Sequence, residues 1–237
     1  RSTKMHKKLI FIFLFIFTHN AISKSLKKDN HLKRINENSV IISIPNLPQH
    51  IDPQKTWSYY HFFVLQGLFQ TLTRYNQKGE LVGHLAKKWK IDNTSKKITI
   101  FLDKKAKFWN GEYVTSEDVS FSIYRHLWKS SESVIRGYLT NTIVGAENLN
   151  DGKETSGIKI IDDHTIQFNL VDSYPSFLSI LTMPGFSIIS KKSYPNIIGS
   201  GPLKIEPNKI GNPFILTLNP YYKKEKAKIS KIKFISM

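Results

Sequence analysis

The stretch from Ile98 to Val119, ITIFLDKKAKFWNGEYVTSEDV, changes its hydrophobic period within a few residues. Ile98, Ile100 and Leu102 alternate with Thr99 and Phe101, which predicts a strand with one apolar face, because successive strand side chains point to opposite sides. Phe108-Trp109-Asn110-Gly111 then carries turn chemistry, since Asn-Gly accommodates positive φ. Thr115-Ser116-Glu117-Asp118 offers an N-cap with an acid three residues on, a capping box in which Asp118 replaces the usual Glu or Gln. The helix behind it is expected to bury Val119, Ile123 and Leu127 on one face. Glu117 and Asp118 are therefore expected to be structural rather than catalytic, because acids in a first turn offset the positive end of the helix dipole.

On the N-terminal side, Val40 to Ile44 is an apolar run closed by Pro45, the pattern of a buried strand. Phe62, Phe63, Leu65, Leu68, Phe69 and Leu72 recur at helical spacing and predict a helix over about 59–75. Leu85 and Trp89, four residues apart, predict a short helix over 81–89. On the C-terminal side, 157–161 and 165–170 predict a strand pair turned at Asp162-Asp163, with Ile166, Phe168 and Leu170 facing one way. Pro175 marks a helix start with Phe177, Leu178 and Leu181 inward. Ile215 to Leu218 and Ile229 to Ile235 predict two more strands. Strands and helices interleave without an internal repeat, which defines an α/β or α+β chain. Gly199 to Pro202 is the single candidate boundary within it.

The chain has 237 residues, of which 40% are hydrophobic, enough for a packed core. It has no cysteine, which excludes a disulfide scaffold, a thiolate zinc site, a cysteine nucleophile and a lipid-modified N-terminal cysteine. The net charge of +17 invites a polyanion reading, but that reading needs clustering and the right cations. Thirty of the cations are lysines and five are arginines, Arg1, Arg34, Arg74, Arg125 and Arg136, whereas phosphate and base recognition favours the bidentate guanidinium. Lys, Ile and Asn come from A/T-rich codons, so genome composition accounts for much of the excess. The densest cluster runs from Lys223 to Lys233. Its second half alternates with Ile229, Ile232 and Phe234, as one wet face of a strand would.

Met5-His6-Lys7-Lys8 precedes nine apolar residues, Leu9 to Phe17, a run too short to span a bilayer. Ala21-Ile22-Ser23 follows with small residues where a signal peptidase reads them. Residues 5–23 therefore form a secretory signal peptide, with 1–4 upstream of the start methionine and 24–38 a polar, flexible leader. Removal of 1–23 takes away Arg1, Lys4, Lys7 and Lys8 and lowers the charge to about +13. A soluble, exported and periplasmic protein without a lipid anchor is expected, and nucleic acid is not an expected partner.

No HExxH, GxSxG, Walker loop or dinucleotide glycine pattern occurs. The histidines are scattered, and no two mature ones are four apart as a helical metal pair requires; each is expected at the surface or its boundary. Neither a cofactor, a metal nor catalysis is expected.

Several motifs occur in one order with tight spacing: Ile51-Asp52-Pro53, Gly67-Leu68-Phe69-Gln70-Thr71-Leu72, Gly79-Glu80-Leu81, Leu85-Ala86-Lys87-Lys88-Trp89, Phe108-Trp109-Asn110-Gly111 and Thr115-Ser116-Glu117-Asp118-Val119. They continue through Ile161-Asp162-Asp163-His164-Thr165-Ile166, Pro175-Ser176-Phe177-Leu178, Gly199-Ser200-Gly201-Pro202-Leu203 and Asn219-Pro220-Tyr221-Tyr222. Over residues 40–236 the chain resembles the family 5 extracellular solute-binding proteins, the oligopeptide and dipeptide receptors of ABC importers. Lys87 stands where the family usually has an acid, and Lys223 where it commonly has Trp.

The resemblance implies a periplasmic binding protein-like (class II) first lobe with its extra subdomain over 39–237. Family members are about twice as long, so a second lobe is expected to be absent from this chain, and residues 24–237 alone are expected to bind peptides poorly. The resemblance further implies a monomer that delivers a peptide or related small solute to permease subunits in the inner membrane. By analogy Trp57, Ser58, Tyr59 and Tyr60 line the cleft, with the aromatic rings giving apolar walls with polar tips, and Tyr138 and the Gly199–Gly201 turn are weaker candidates. The competing reading of the aromatics is that they pack beneath the following helix. The competing function is a secreted cationic protein that binds anionic envelope polymers, whose attraction, unlike receptor binding, vanishes at about 0.5 M salt.

Overall fold

A computed structural model describes residues 39–55, 58–206, 213–222 and 229–236. Residues 1–38, which include the expected signal peptide, upstream residues and leader, lie outside the described residues. In chain order the elements are strand β1 (Ser39–Ile44), a 3-10 turn (Pro53–Lys55), helix α1 (Tyr59–Leu68), strands β2 (Thr73–Tyr75), β3 (Leu81–Gly83), β4 (Ala86–Ile91) and β5 (Lys97–Leu102), and helix α2 (Ser116–Leu127). There follow the single turn α3 (Gly137–Thr140), strands β6 (Ile158–Asp162) and β7 (Thr165–Asn169), the single turn α4 (Phe177–Ile180), a 3-10 turn (Pro184–Phe186) and strands β8 (Leu203–Ile205), β9 (Phe214–Leu218) and β10 (Lys231–Ser236).

The strands form two four-stranded sheets, β1-β10-β9-β8 and β4-β5-β7-β6, and the hairpin β2-β3. The second sheet is antiparallel throughout, and its inner rows pair Ile98 with Phe168 and Ile100 with Ile166. That face and α2 share one apolar core, in which Val119, Ile123 and Leu127 are fully buried as their spacing predicts. A second core joins the first sheet to α1 through Val64, Leu65, Leu68, Phe214, Leu216 and Phe234. The mixed α/β class read from the sequence is the class observed.

Four local expectations need correction. The helix predicted over 59–75 stops at Leu68, and Thr73 to Tyr75 pairs with Leu81 to Gly83 as a hairpin. Gly79 closes that hairpin at φ +76°. The predicted helix over 81–89 is instead the strands β3 and β4; Trp89 still faces the core, but from a strand paired with Ile100. Val40 to Ile44 is a strand but not a buried one: among the described residues β1 has one neighbour, parallel β10, and Ile41 and Ile42 are exposed. The fourth concerns a histidine and is described below.

Lys231 and Lys233 do alternate with Ile232 and Phe234, but β10 lies between β1 and β9, so both lysines are half-buried. Lys223, Lys224, Lys226 and Lys228 lie outside the described residues. The Gly199–Gly201 turn is a close crossing over the end of α1. A Cβ on Gly199 would stand 2.3 Å from the Leu68 carbonyl oxygen, and one on Gly201 would stand 2.5 Å from that of Gly67. Gly201 N–H donates to Leu68 O at 2.9 Å.

Candidate functional site

Asp52-Pro53-Gln54-Lys55 forms a single 3-10 turn immediately before the segment in question, and its geometry follows from one carboxylate. Asp52 Oδ1 accepts the Gln54 N–H at 3.0 Å, and Asp52 O accepts that of Lys55 at 3.1 Å. Asp52 Oδ2 in turn accepts from Arg125 Nη2 in the last turn of α2, and both side chains are buried. Gln54 Nε2 donates to Arg125 O and, at 2.8 Å, to Ser131 Oγ. The Arg125 guanidinium also lies over the Tyr194 ring, 5.2 Å from its centroid. The turn is thus fastened to the C-terminus of α2, where a cation complements the helix dipole.

The neighbouring His126 corrects the surface expectation. It is 2% exposed, with Nδ1 2.6 Å from Ser133 Oγ and its ring edge-on to Phe186 at 4.9 Å. Burial, reinforced by the adjacent Arg125 charge, lowers its pKa from 6.5 to about 3, so the ring is neutral. Together Arg125 and His126 hold two turns, Pro53–Lys55 and Pro184–Phe186. The turns also touch each other: a Cβ on Gly185 would meet Pro53 O at 3.7 Å and Ile135 Cδ1 at 2.4 Å.

The predicted cleft residues start from this anchored turn. Trp57 lies outside the described residues. Ser58 is the N-cap residue of α1, with extended backbone and no side-chain cap bond. Tyr59 and Tyr60 occupy the first helical turn and are 69% and 42% exposed, so they do not pack beneath the helix. Tyr59 makes edge contacts with Tyr60 at 5.9 Å and with exposed Phe63 at 5.1 Å. Tyr138 is exposed on α3, three residues beyond Ile135. Among the described residues no ring contact joins it to Tyr59 or Tyr60. A polar cavity of about 440 Å³ opens beside the anchored turn, between Gln54, Lys55, Arg125, Trp128, Ser131 and Tyr194.

Sequence reading missed Asp52–Arg125, the contact that fixes this geometry. Ile51-Asp52-Pro53 stood out as a motif, and Arg125 is one of five arginines among thirty-five cations, but nothing in the chain links the two. The capping box was legible. Asp118 Oδ2 accepts Thr115 N–H at 2.9 Å and Oγ1–H at 2.8 Å, and Oδ1 accepts Lys191 N–H at 2.9 Å. Burial raises the Asp118 pKa against the lowering effect of these bonds. Glu117 meets Lys191 at 3.0 Å. Both acids serve the scaffold. Among the described residues no cluster of His, Asp and Glu is suited to a metal ion, and no helix is long and apolar enough to cross a membrane.

Known proteins share this chain's sequence pattern and its mixed α/β fold. The chain is 25% identical over 218 residues to the dipeptide-binding protein DppE of Bacillus subtilis, covering 85% of this chain and 40% of that protein. It is 26% identical over 206 residues to the periplasmic murein peptide-binding protein MppA of Escherichia coli, covering 81% of this chain and 38% of that protein. The unliganded open form of MppA superposes with a TM-score of 0.75 at 25% identity over 85% of this chain and 42% of that structure. Listeria monocytogenes OppA bound to peptide shares the fold with a TM-score of 0.75 at 22% identity over 85% of this chain and 43% of that structure. The family model described as bacterial extracellular solute-binding proteins, family 5 Middle, matches residues 80–237. The chain belongs to that family. It spans about 40% of the length of the relatives named here.

Proposed function

We propose that this chain is the ligand-facing first part of a periplasmic receptor that binds peptides and passes them to the permease of an ABC importer. Similarity to dipeptide-, oligopeptide- and murein peptide-binding proteins supports the peptide class. The observation that carries the site is the exposure of Tyr59 and Tyr60 on a segment whose preceding turn is tied by Asp52 to Arg125. The extended backbone of Ser58, just ahead of α1, meets the peptide main chain, while the aromatic rings wall roomy pockets that accept varied side chains. Trp57 and Tyr138 complete the proposed contact set. The protein acts as a monomer, without a cofactor or metal and without turnover, and it reaches the periplasm through a cleaved segment at 5–23.

Native mass spectrometry of the full-length gene product, purified without denaturation, tests this reading. A heterogeneous set of bound masses in the peptide range is expected, displaced by added tripeptide. Recovery without bound peptide together with no displacement or uptake of added tripeptide contradicts it, as does hydrolysis of the added peptide.

A further inference from the structure

Clustering, which the charge balance alone could not establish, is supplied by the sheet β4-β5-β7-β6. Paired residues of adjacent strands share a face, so the register fixes what the outer face carries. One row across the four strands holds Lys90, Thr99, Gln167 and Lys159; the next holds Lys88, Phe101, Thr165 and Asp162. Lys97 joins them opposite Asn169. Lys88, Lys90, Lys97 and Lys159 are all exposed, and none is in an ion pair among the described residues. Elsewhere Lys55, Lys96, Lys191 and Lys192 each meet a carboxylate. The Lys88 and Lys90 ammonium groups stand 5.0 and 6.0 Å from the centroid of the half-buried Phe101 ring.

Beyond Phe101 the face opens into a concavity of about 850 Å³, which Lys87, Lys104, Lys105 and His164 help to line. Asp103, Asp162 and Asp163 share this rim. Asp103 and Asp162 accept backbone N–H groups, those of Lys105 at 3.0 Å and His164 at 2.8 Å, and Asp162 also feels the Lys104 charge, so the rim carries both signs and the uncompensated lysines lie on the strands beyond it.

We propose that this face apposes the protein to a bilayer surface bearing anionic phospholipid headgroups. Lysine ammonium groups are point charges without a preferred bidentate partner, which suits a diffuse headgroup layer better than the reading of single phosphates. They are spread over a sheet four strands wide, roughly 14 Å at the usual strand spacing, so several charges come within a Debye length of the lipid together. Phe101, at the centre, brings an aromatic ring to headgroup depth. The proposal concerns a face remote in sequence from Ser58 to Tyr60 and does not rest on the peptide reading.

Sedimentation of the full chain with vesicles tests it, comparing pure phosphatidylcholine with a mixture containing about one-third phosphatidylglycerol. Binding to neutral vesicles measures the apolar run Leu9 to Phe17; the excess on anionic vesicles measures all the cations together, and the variants below single out the share of the face. The excess is expected to fall about tenfold or more when Lys88, Lys90, Lys97 and Lys159 are all changed to Glu, and to disappear at about 0.5 M salt. The same four positions changed to Gln should give a smaller loss in the same direction and guard against misfolding. A charge-matched variant, with Lys55, Lys96, Lys191 and Lys192 changed to Glu, is expected to keep most of the excess. Equal loss in both Glu variants would assign the effect to net charge and overturn the proposal. So would the absence of any excess on anionic vesicles, or retention on dextran sulfate or single-stranded DNA without vesicle binding.

Discussion

Arg125 donates from Nη2 to Asp52 Oδ2 across 73 residues of chain, with the two side chains only 7% and 12% exposed. The pair joins the end of α2 to the turn from which the exposed Tyr59 and Tyr60 emerge. Removing one partner of a buried pair strands the other charge without solvent. Asp52→Ala or Arg125→Ala is therefore expected to destabilise the fold by about 3–5 kcal/mol in urea titrations. The double variant Asp52→Leu/Arg125→Met should be less destabilised than either single change, since no buried charge remains.

His126 makes stability depend on pH. Its folded pKa, about 3, lies below the ordinary 6.5, so the unfolded chain binds a proton that the folded chain refuses. The stability that the neutral ring permits is fully present above pH 6.5 and is lost as pH falls from there towards 3, at up to about 1.4 kcal/mol per pH unit for one proton. Urea midpoints between pH 4 and 7 should show this slope, and His126→Phe should flatten it. An unchanged slope in that variant would mean that other groups carry the acid sensitivity.

The capping box gives a smaller, local effect. Thr115→Ala removes one bond at the start of α2, whereas Asp118→Ala removes two there and also frees Lys191 N–H. Losses of about 1 kcal/mol for Thr115→Ala and up to about 2 kcal/mol for Asp118→Ala are expected from thermal melts.

Glycine substitutions should separate crowded from open positions. Gly201→Ala drives a methyl group into the Gly67–Leu68 backbone and is expected to cost about 2 kcal/mol or more. Gly137, on α3, has no atom within 4 Å of its added Cβ. Gly137→Ala should be neutral or stabilising by up to about 1 kcal/mol.

What the sequence revealed was local. The period of two over Ile98 to Leu102, the capping box at Thr115 and the apolar stripe Val119, Ile123 and Leu127 are encoded within a few residues of one another, and each is found as expected. The helix read over 81–89 failed because Leu85 and Trp89 satisfy a four-residue spacing and also face one core from the loop and strand that follow the hairpin. Pairing of Trp89 with Ile100 decided the outcome. The β1 run looked buried because apolar content says nothing about whether a strand has one neighbour or two. Tyr59 and Tyr60 were legible as candidates through motif order; the anchoring of their segment by Arg125, the burial of His126 and the grouping of Lys88, Lys90, Lys97 and Lys159 on one face arise only when distant elements meet.

Calorimetric titration of the full-length gene product with tripeptides and pentapeptides, set against a Tyr59→Ala/Tyr60→Ala variant and a Tyr138→Ala variant of unchanged thermal stability, bears most directly on the proposed receptor. Saturable peptide binding that persists at about 0.5 M salt, and that weakens about tenfold or more in the double tyrosine variant, is the expected result. Heat of binding absent for every peptide, or affinity untouched by all three tyrosine changes, would contradict it.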